Sequence, residues 1–450
     1  MNSFEKENCD LINNFFERFF FSDFREYTTN DRSRKSIELF LTTECNLGCH
    51  YCYLKKNDND LYPSQFKSHD LILKNTEIIL DWIKENKFKV DLHVFSGEFF
   101  SLGDLPFKIL DLILKKFPKE YTESKIFSVV IPTNMSFVGS KELTKKVSKY
   151  IKKMHDENIR LVLSASIDGK YLENINRKSK NKDLKRNDVY YDNLFKFAKE
   201  HKIGFHPMVS ANGIENWVDN YKWFLEKFKE IDEKRYLMML EVRDDNWDSE
   251  SINHLIKLLD FIVDHEFENR YNFDKREFAK RIFIKNISNY DNIALKYYRE
   301  NADTIKCSIQ STLFIRVGDL EIVPCHRLSY NHLNYAKFKV ESDRIVGIEP
   351  KNISAAITTY SLLGSNLPSC ESCSIKNWCA KGCLGSQYEK NGEMFIPVES
   401  VCQMKKEKLK FLFRKYYDLG IFDEALKLSL HDNIKRDIKK IIEVFQNECN

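Results

Sequence analysis

The sequence predicts an α/β protein with a partial (β/α)6, TIM-like barrel, a cysteine-rich domain and C-terminal helices. Three observations predict it. Between residues 37 and 243 short β-type runs alternate with longer segments of helical period. Seven of the twelve cysteines fall between Cys307 and Cys402, where the elements shorten and Gly and Pro become more frequent. Residues 403–450 then return to amphipathic helical spacing, as in KLKFLFRKYYDLG and IKRDIKKIIEVF.

The elements follow in order. Residues 1–35 carry an aromatic cluster, FFERFFFSDF, read as a helical extension packed on the barrel. The strand candidates are SIELFLT (36–42), VDLHVFS (90–96), IFSVVIPT (126–133), IRLVLSASI (159–167), IGFHPMVS (203–210) and YLMMLEV (236–242). Helical spacing fills 69–86, 104–117, 140–157, 189–201 and 216–230. Strict β/α alternation over 36–248 argues for a parallel sheet, whose active site belongs at the strands' C-terminal ends. Residues 249–306 read as a helical bridge, 307–402 as the cysteine-rich domain and 403–450 as terminal helices.

Bulk properties narrow the function. A chain of 450 residues can hold two or three domains, and a formal charge of +4 gives no strong pull toward nucleic acid or an anionic membrane. The start, MNSFEKENCD, lacks the basic-then-apolar order of a secretory signal, and no run of about 18–20 apolar residues is present. The expected setting is cytoplasmic. Thiols there stay reduced, so twelve cysteines read as ligands or catalysts rather than disulfides.

The densest group is TTECNLGCHYCYL, with Cys45, Cys49 and Cys52 in the loop directly after the first strand. A structural zinc ion wants four ligands, and His50 is locked beside Cys49. Thiolate-rich sites favour iron–sulfur clusters or zinc. Three thiolates on a cubane leave one iron free.

CNLGCHYC resembles the Cx3CxxC signature of radical S-adenosylmethionine (SAM) enzymes, including the aromatic Tyr51 before the third cysteine. Further resemblances follow in order. FSGEFF places Ser96, Gly97 and Glu98 where the family has Gly-Gly-Glu, which holds the SAM amino group; here the first Gly is Ser and the usual Pro is Phe99. SASIDG resembles the family's Ser-x-Asp-Gly stretch, with Ser166 near SAM. Arg177, eleven residues on, matches an Arg that contacts the SAM carboxylate, or is one basic residue of the loop RKSKNKDLKR. The resemblance implies a cluster that reduces the SAM sulfonium to give methionine and a 5′-deoxyadenosyl radical, with a flavodoxin- or ferredoxin-type electron donor. The protein orients that chemistry and walls it off.

The second group is CESCSIKNWCAKGC, with Cys370, Cys373, Cys379 and Cys383 spaced Cx2Cx5Cx3C, flanked by Cys307, Cys325 and Cys402. In isolation it reads as a zinc ribbon. After a radical SAM barrel it resembles the SPASM domain, which carries two auxiliary 4Fe-4S clusters and makes three clusters in all. The gap from Gly318 to Cys325, six residues, is longer than usual. The resemblance implies an outer cluster on Cys370, Cys373, Cys379 and Cys402, and an inner one on Cys307, Cys325 and Cys383. No cysteine lies in 295–306 to complete the inner set, so an open iron that binds a substrate thiolate is expected there.

Enzymes of this build mature peptides. Sulfatase-maturating relatives place an acidic base after the second auxiliary-domain cysteine, where this chain has His326. FSGEFF, PCHRLSY and FHPMVS are similar in texture to maturases of ribosomally made, Cys-repeat peptides, which form thioether cross-links. The expected partner is a precursor peptide. Only 44 residues precede Cys45, so leader recognition is expected from a separate protein or another surface. The basic run from Arg177 to Arg186 suits an acidic leader or a solvated loop. A different class, a zinc-stapled nucleic-acid-binding protein, would show a basic face and zinc instead.

Overall fold

A computed structural model describes residues 34–120, 126–180, 186–231, 236–285, 292–295, 307–364, 367–379 and 381–448. The expected N-terminal helix, Cys9, Cys449, residues 296–306 and half of the basic run lie outside them. The chain forms two compact units: the described residues up to Ser166 with Lys178–Gly204 and Cys307–Ser361, and those of Ile167–Arg177, Phe205–Lys306 and Leu362–Asn450.

The first unit is built on parallel strands β1 (Arg34–Phe40), β3 (Lys89–Phe95), β4 (Ile126–Thr133) and β5 (Arg160–Ala165), adjacent in that order. The register aligns Ile37 with Leu92, Leu92 with Val129 and Val129 with Leu161. Successive strand residues point to opposite faces. Val90, Leu92 and Val94 are therefore buried while Lys89, Asp91, His93 and Phe95 are half-buried. The connecting helices supply apolar stripes, Ile72, Ile79, Leu80 and Ile83 in His69–Glu85 and Ile109, Leu110 and Ile113 in Leu105–Lys116. Helix Lys141–Asp156 starts at Ser140, whose hydroxyl accepts from Leu143 N, and Asp188–His201 starts at Asn187, which accepts from Tyr190 N.

The sheet continues on the other side of β1. Strand β10 (Thr312–Arg316) pairs parallel to it, Ser36 opposite Thr312, and β11 (Glu321–Val323), β12 (Ala336–Glu341) and β13 (Arg344–Pro350) follow antiparallel. Arg316 is fully buried at this junction. Its guanidinium bonds both Asp319 oxygens, the Leu61 carbonyl at 3.1 Å and the Ser329 carbonyl at 2.8 Å. The return from β10 into β11 passes through Leu320, whose φ of 59° lies in the left-handed region.

Two expected strands are shorter than the sequence suggests. IGFHPMVS becomes β7 (Gly204–Phe205), which ends the large sheet, and β8 (Met208–Val209), because Pro207 between them has no N–H to give a ladder. YLMMLEV becomes β9 (Leu240–Glu241), parallel to β8. Another short ladder joins β2 (Leu47–Cys49) and β6 (Arg177–Ser179).

The second unit is mainly helical. Trp217–Glu230, Ser249–His265, Lys275–Phe283 and Glu399–Asp418 bury Trp217, Leu258, Leu259, Ile282, Met404 and Tyr416 in one core. Ser249–His265 opens with a capping box between Asp248 and Ser251. Lys415 bridges Asp260 and Asp264 at 2.6 and 2.7 Å. Among the described residues no helix is long and apolar enough to cross a membrane.

Candidate active site

Beyond β1 the chain runs alongside the end of β3. Gly97 N donates to Thr42 O at 2.9 Å and Glu98 N to Glu44 O at 2.8 Å. A Cβ on Gly97 would lie 2.3 Å from Glu44 O and 2.4 Å from Thr43 O, so only glycine permits this approach. Cys45 follows at once. Its sulfur accepts from Leu47 N at 3.4 Å and lies 3.9 Å from Asn134 Nδ2. Cys52 N donates to Cys49 O, and Cys52 O accepts from Lys55 N and Lys56 N, starting helix Tyr53–Lys56. Lys180 Nζ donates to Cys45 O at 3.1 Å. Tyr51 is half-buried, edge-on to His50 with ring centroids 5.0 Å apart.

Burial pushes the Cys45 thiol up to about 11. The Leu47 N–H lowers it, the charges of Glu98 and Cys52 raise it further, and Lys180 lowers it. Cys45, Cys52 and Glu98 therefore share one electrostatic neighbourhood.

Glu98 is 1% exposed. Its carboxylate accepts from Thr133 Oγ1 at 2.8 Å, Asn134 N at 2.6 Å and Phe100 N at 3.2 Å. Burial still raises its pKa, which those three donors and the charge of Arg186 counteract. Two carboxylate oxygens offer about four acceptor positions. Three protein donors leave capacity for one more, and a cation suits a desolvated anion best. Ser96 Oγ is buried with no hydrogen-bond partner among the described residues. Ser166, half-buried after β5, donates its N–H to Thr133 O at 2.8 Å.

Arg177 belongs to the second unit, where it pairs with a buried carboxylate. Its Nε lies 3.0 Å from Asp168 Oδ1, both side chains being buried. That oxygen also accepts from Met208 N, and Asn220 Nδ2 donates to Asp168 O. Two residues escaped the sequence reading. Asn134 ties Glu98 to the cysteine loop, its N–H on the carboxylate and its side chain on Asn46 Oδ1 at 2.8 Å. Arg186 donates to Asn134 O at 3.1 Å. A lone polar residue after a strand, or within a basic run, has no spacing that marks it.

His326 lies in the first unit with its Nδ1 2.5 Å from Glu38 Oε1 and its ring stacked on Phe95 at 4.2 Å. Cys325 beside it is buried and Cys307 is half-buried. Cys383 belongs to the second unit.

The outer set, Cys370, Cys373, Cys379 and Cys402, lies wholly in the second unit. Burial raises the pKa of Cys370 and of Cys402, and each is raised further by the charges of other cysteines of the set. Four thiols in one neighbourhood, once deprotonated, fit an iron–sulfur cluster, which needs anionic sulfur donors. Among the described residues no disulfide joins any of the ten cysteines. Among the described residues no three His, Cys, Asp or Glu side chains are drawn around a common point as a single ion requires. A cubane presents its irons at separate corners, so its thiolates stand wider apart.

No protein-family model matches the chain, and no curated protein matches it in sequence. Among solved structures it is similar to native anSMEcpe with bound AdoMet, at 15% identity over 86% of this chain and 99% of that one, with TM-score 0.53. It is also similar to native anSMEcpe with bound AdoMet and Cp18Cys peptide, at 16% identity over 87% and 99%, with TM-score 0.52. The chain thus has, over most of its length, an anSME-like fold: a parallel sheet with a cysteine-rich, helical C-terminal region.

Proposed function

We propose that this chain is a radical SAM enzyme that oxidatively modifies a peptide, holding one SAM-binding and two auxiliary 4Fe-4S clusters. The observation that carries the reading is the Gly97 contact, which fastens the loop of Cys45, Cys49 and Cys52 to the buried carboxylate of Glu98. When bound, the cluster would supply one electron to the SAM sulfonium, whose carbon–sulfur bond breaks to release a deoxyadenosyl radical. The chain's own part is to bind, orient and exclude water. Glu98 would take the SAM ammonium, with Ser96 Oγ and the backbone at Gly97 beside it. Arg186 supplies a cation on the Asn134 side, and Ser166 lies after the next strand.

The finer reading is maturation of a ribosomally made precursor peptide by thioether formation. The likeness to a peptide-bound anSMEcpe supports a peptide substrate. His326, held by Glu38, stands where sulfatase maturases have an acidic base, which supports a substrate other than a sulfatase. Formylglycine formation is the second reading, favoured by the fold likeness itself. Anaerobically reconstituted protein given reductant and SAM should release 5′-deoxyadenosine. Changing Cys45, Cys49 and Cys52 together to Ala should abolish that release. Incubation with a short Cys-rich peptide, then reduction, thiol alkylation and mass spectrometry, separates the two readings: loss of two hydrogens with one Cys no longer alkylated marks a thioether, whereas formylglycine leaves an aldehyde that a carbonyl reagent captures.

A further inference from the structure

Helix Leu384–Asn391 begins directly after Cys383, which is its N-cap, and Ser386 and Gln387 lie in its first turn and a half. They follow Cys383 at i+3 and i+4, the spacing that puts side chains on one helix face. Ser386 and Gln387 are each 1% exposed. The Ser386 hydroxyl and both polar atoms of the Gln387 carboxamide nonetheless have no hydrogen-bond partner among the described residues. Burying such groups unbonded is costly, and protein interiors rarely do it. The backbone sets the carboxamide against the turn that presents Cys383. Gln387 N donates to Cys383 O at 3.0 Å. A Cβ on Gly382 would stand 3.0 Å from Gln387 Oε1 and 3.5 Å from Gln387 Cδ, so the glycine, at φ 87°, leaves the carboxamide its place.

We propose that Gln387 and Ser386 donate hydrogen bonds to sulfur of the iron–sulfur cluster that Cys383 holds, and so raise its reduction potential. This rests on Cys383 being a cluster ligand. The hydroxyl carries one donor hydrogen and the carboxamide two, whereas thiolate and sulfide sulfur only accept. The first N–H groups of the helix have no intrahelical partner and point toward the same end, where they favour negative charge. A 4Fe-4S cluster on thiolates is an anion, and its reduced form carries one more negative charge than its oxidised form. Donors aimed at its sulfurs therefore stabilise the reduced form more.

The test uses full-length protein with Cys45, Cys49 and Cys52 changed to Ala, reconstituted anaerobically and titrated electrochemically with EPR detection. The cluster in question is the signal lost on Cys383→Ala. Gln387→Met keeps the side chain's length and removes its donors. Its reduced form should be disfavoured at least tenfold, a downward shift of about 59 mV for one electron. Ser386→Ala should move the potential the same way by less. Leu384→Met, a change at the buried apolar residue next to Cys383, should leave it in place. If Gln387→Met alone loses the iron, Ser386→Ala decides: a downward shift supports the assignment and no shift overturns it. Unchanged potentials in both variants at full iron content, an equal shift in Leu384→Met, or iron loss in both variants would overturn it while leaving the enzyme class standing. Iron content that Cys383→Ala does not lower, or zinc in place of iron, would instead overturn the ligand reading beneath it.

Discussion

The N–H of Glu98 donates to the carbonyl of Glu44 across 2.8 Å, so the residue that carries a buried carboxylate is bonded directly to the first cysteine loop. The bond exists because Gly97, between them in space, has no side chain to hold the two backbones apart.

Gly97→Ala is the direct probe of that join. A methyl group 2.3 Å from Glu44 O cannot be accommodated without moving the backbone. Overpacking of this kind costs about 1–3 kcal/mol. The variant should remain folded by circular dichroism while SAM affinity, read by equilibrium dialysis on reconstituted protein, falls at least tenfold.

Glu98 carries a pH prediction. Burial raises its pKa above the usual carboxylate range, so its ionised fraction grows as pH climbs through that raised value. Binding of a cationic SAM ammonium should therefore strengthen with rising pH and then level off. Glu98→Gln should bind more weakly and lose that part of the pH dependence. The stability sign is opposite in the ligand-free protein. A carboxyl with a raised folded pKa contributes stability at low pH that is lost as pH rises through it.

The two arginines should separate cleanly. Arg177→Gln leaves Asp168 buried without its ion-pair partner, a loss of about 3–5 kcal/mol. Its thermal midpoint should drop markedly. Arg186→Gln should leave that midpoint nearly unchanged and weaken SAM binding, since Arg186 acts on Asn134 and Glu98.

Cluster loading should also depend on pH. The Cys45 thiol, pushed up to about 11, must lose its proton before it can bind iron. Anaerobic reconstitution should be faster at about pH 9 than at about pH 7, by up to about tenfold per pH unit for that one proton. Iron uptake followed by the cluster's visible absorbance checks this.

Much of the parallel sheet was legible in the chain. IFSVVIPT coincides with β4, Ile126–Thr133, and the period over 69–86 with helix His69–Glu85, because local pattern decides both. The pairing of β10 with β1 was not legible, since nothing in either strand's pattern names a partner so far along the chain. The strand expected across IGFHPMVS failed at Pro207, whose missing N–H outweighed the β-type residues around it. In the site, Cys45, Gly97 and Glu98 stood in contiguous motifs. Asn134 and Arg186 acquire their roles only from what folding brings beside them, and Arg177 found a carboxylate that sequence spacing did not reveal.

The most direct test adds SAM to the dithionite-reduced, reconstituted protein and records its EPR spectrum. SAM binding at an iron held by Cys45, Cys49 and Cys52 predicts a changed spectrum in the unmodified protein and no response when all three are Ala. A SAM response that survives the triple substitution would contradict the account.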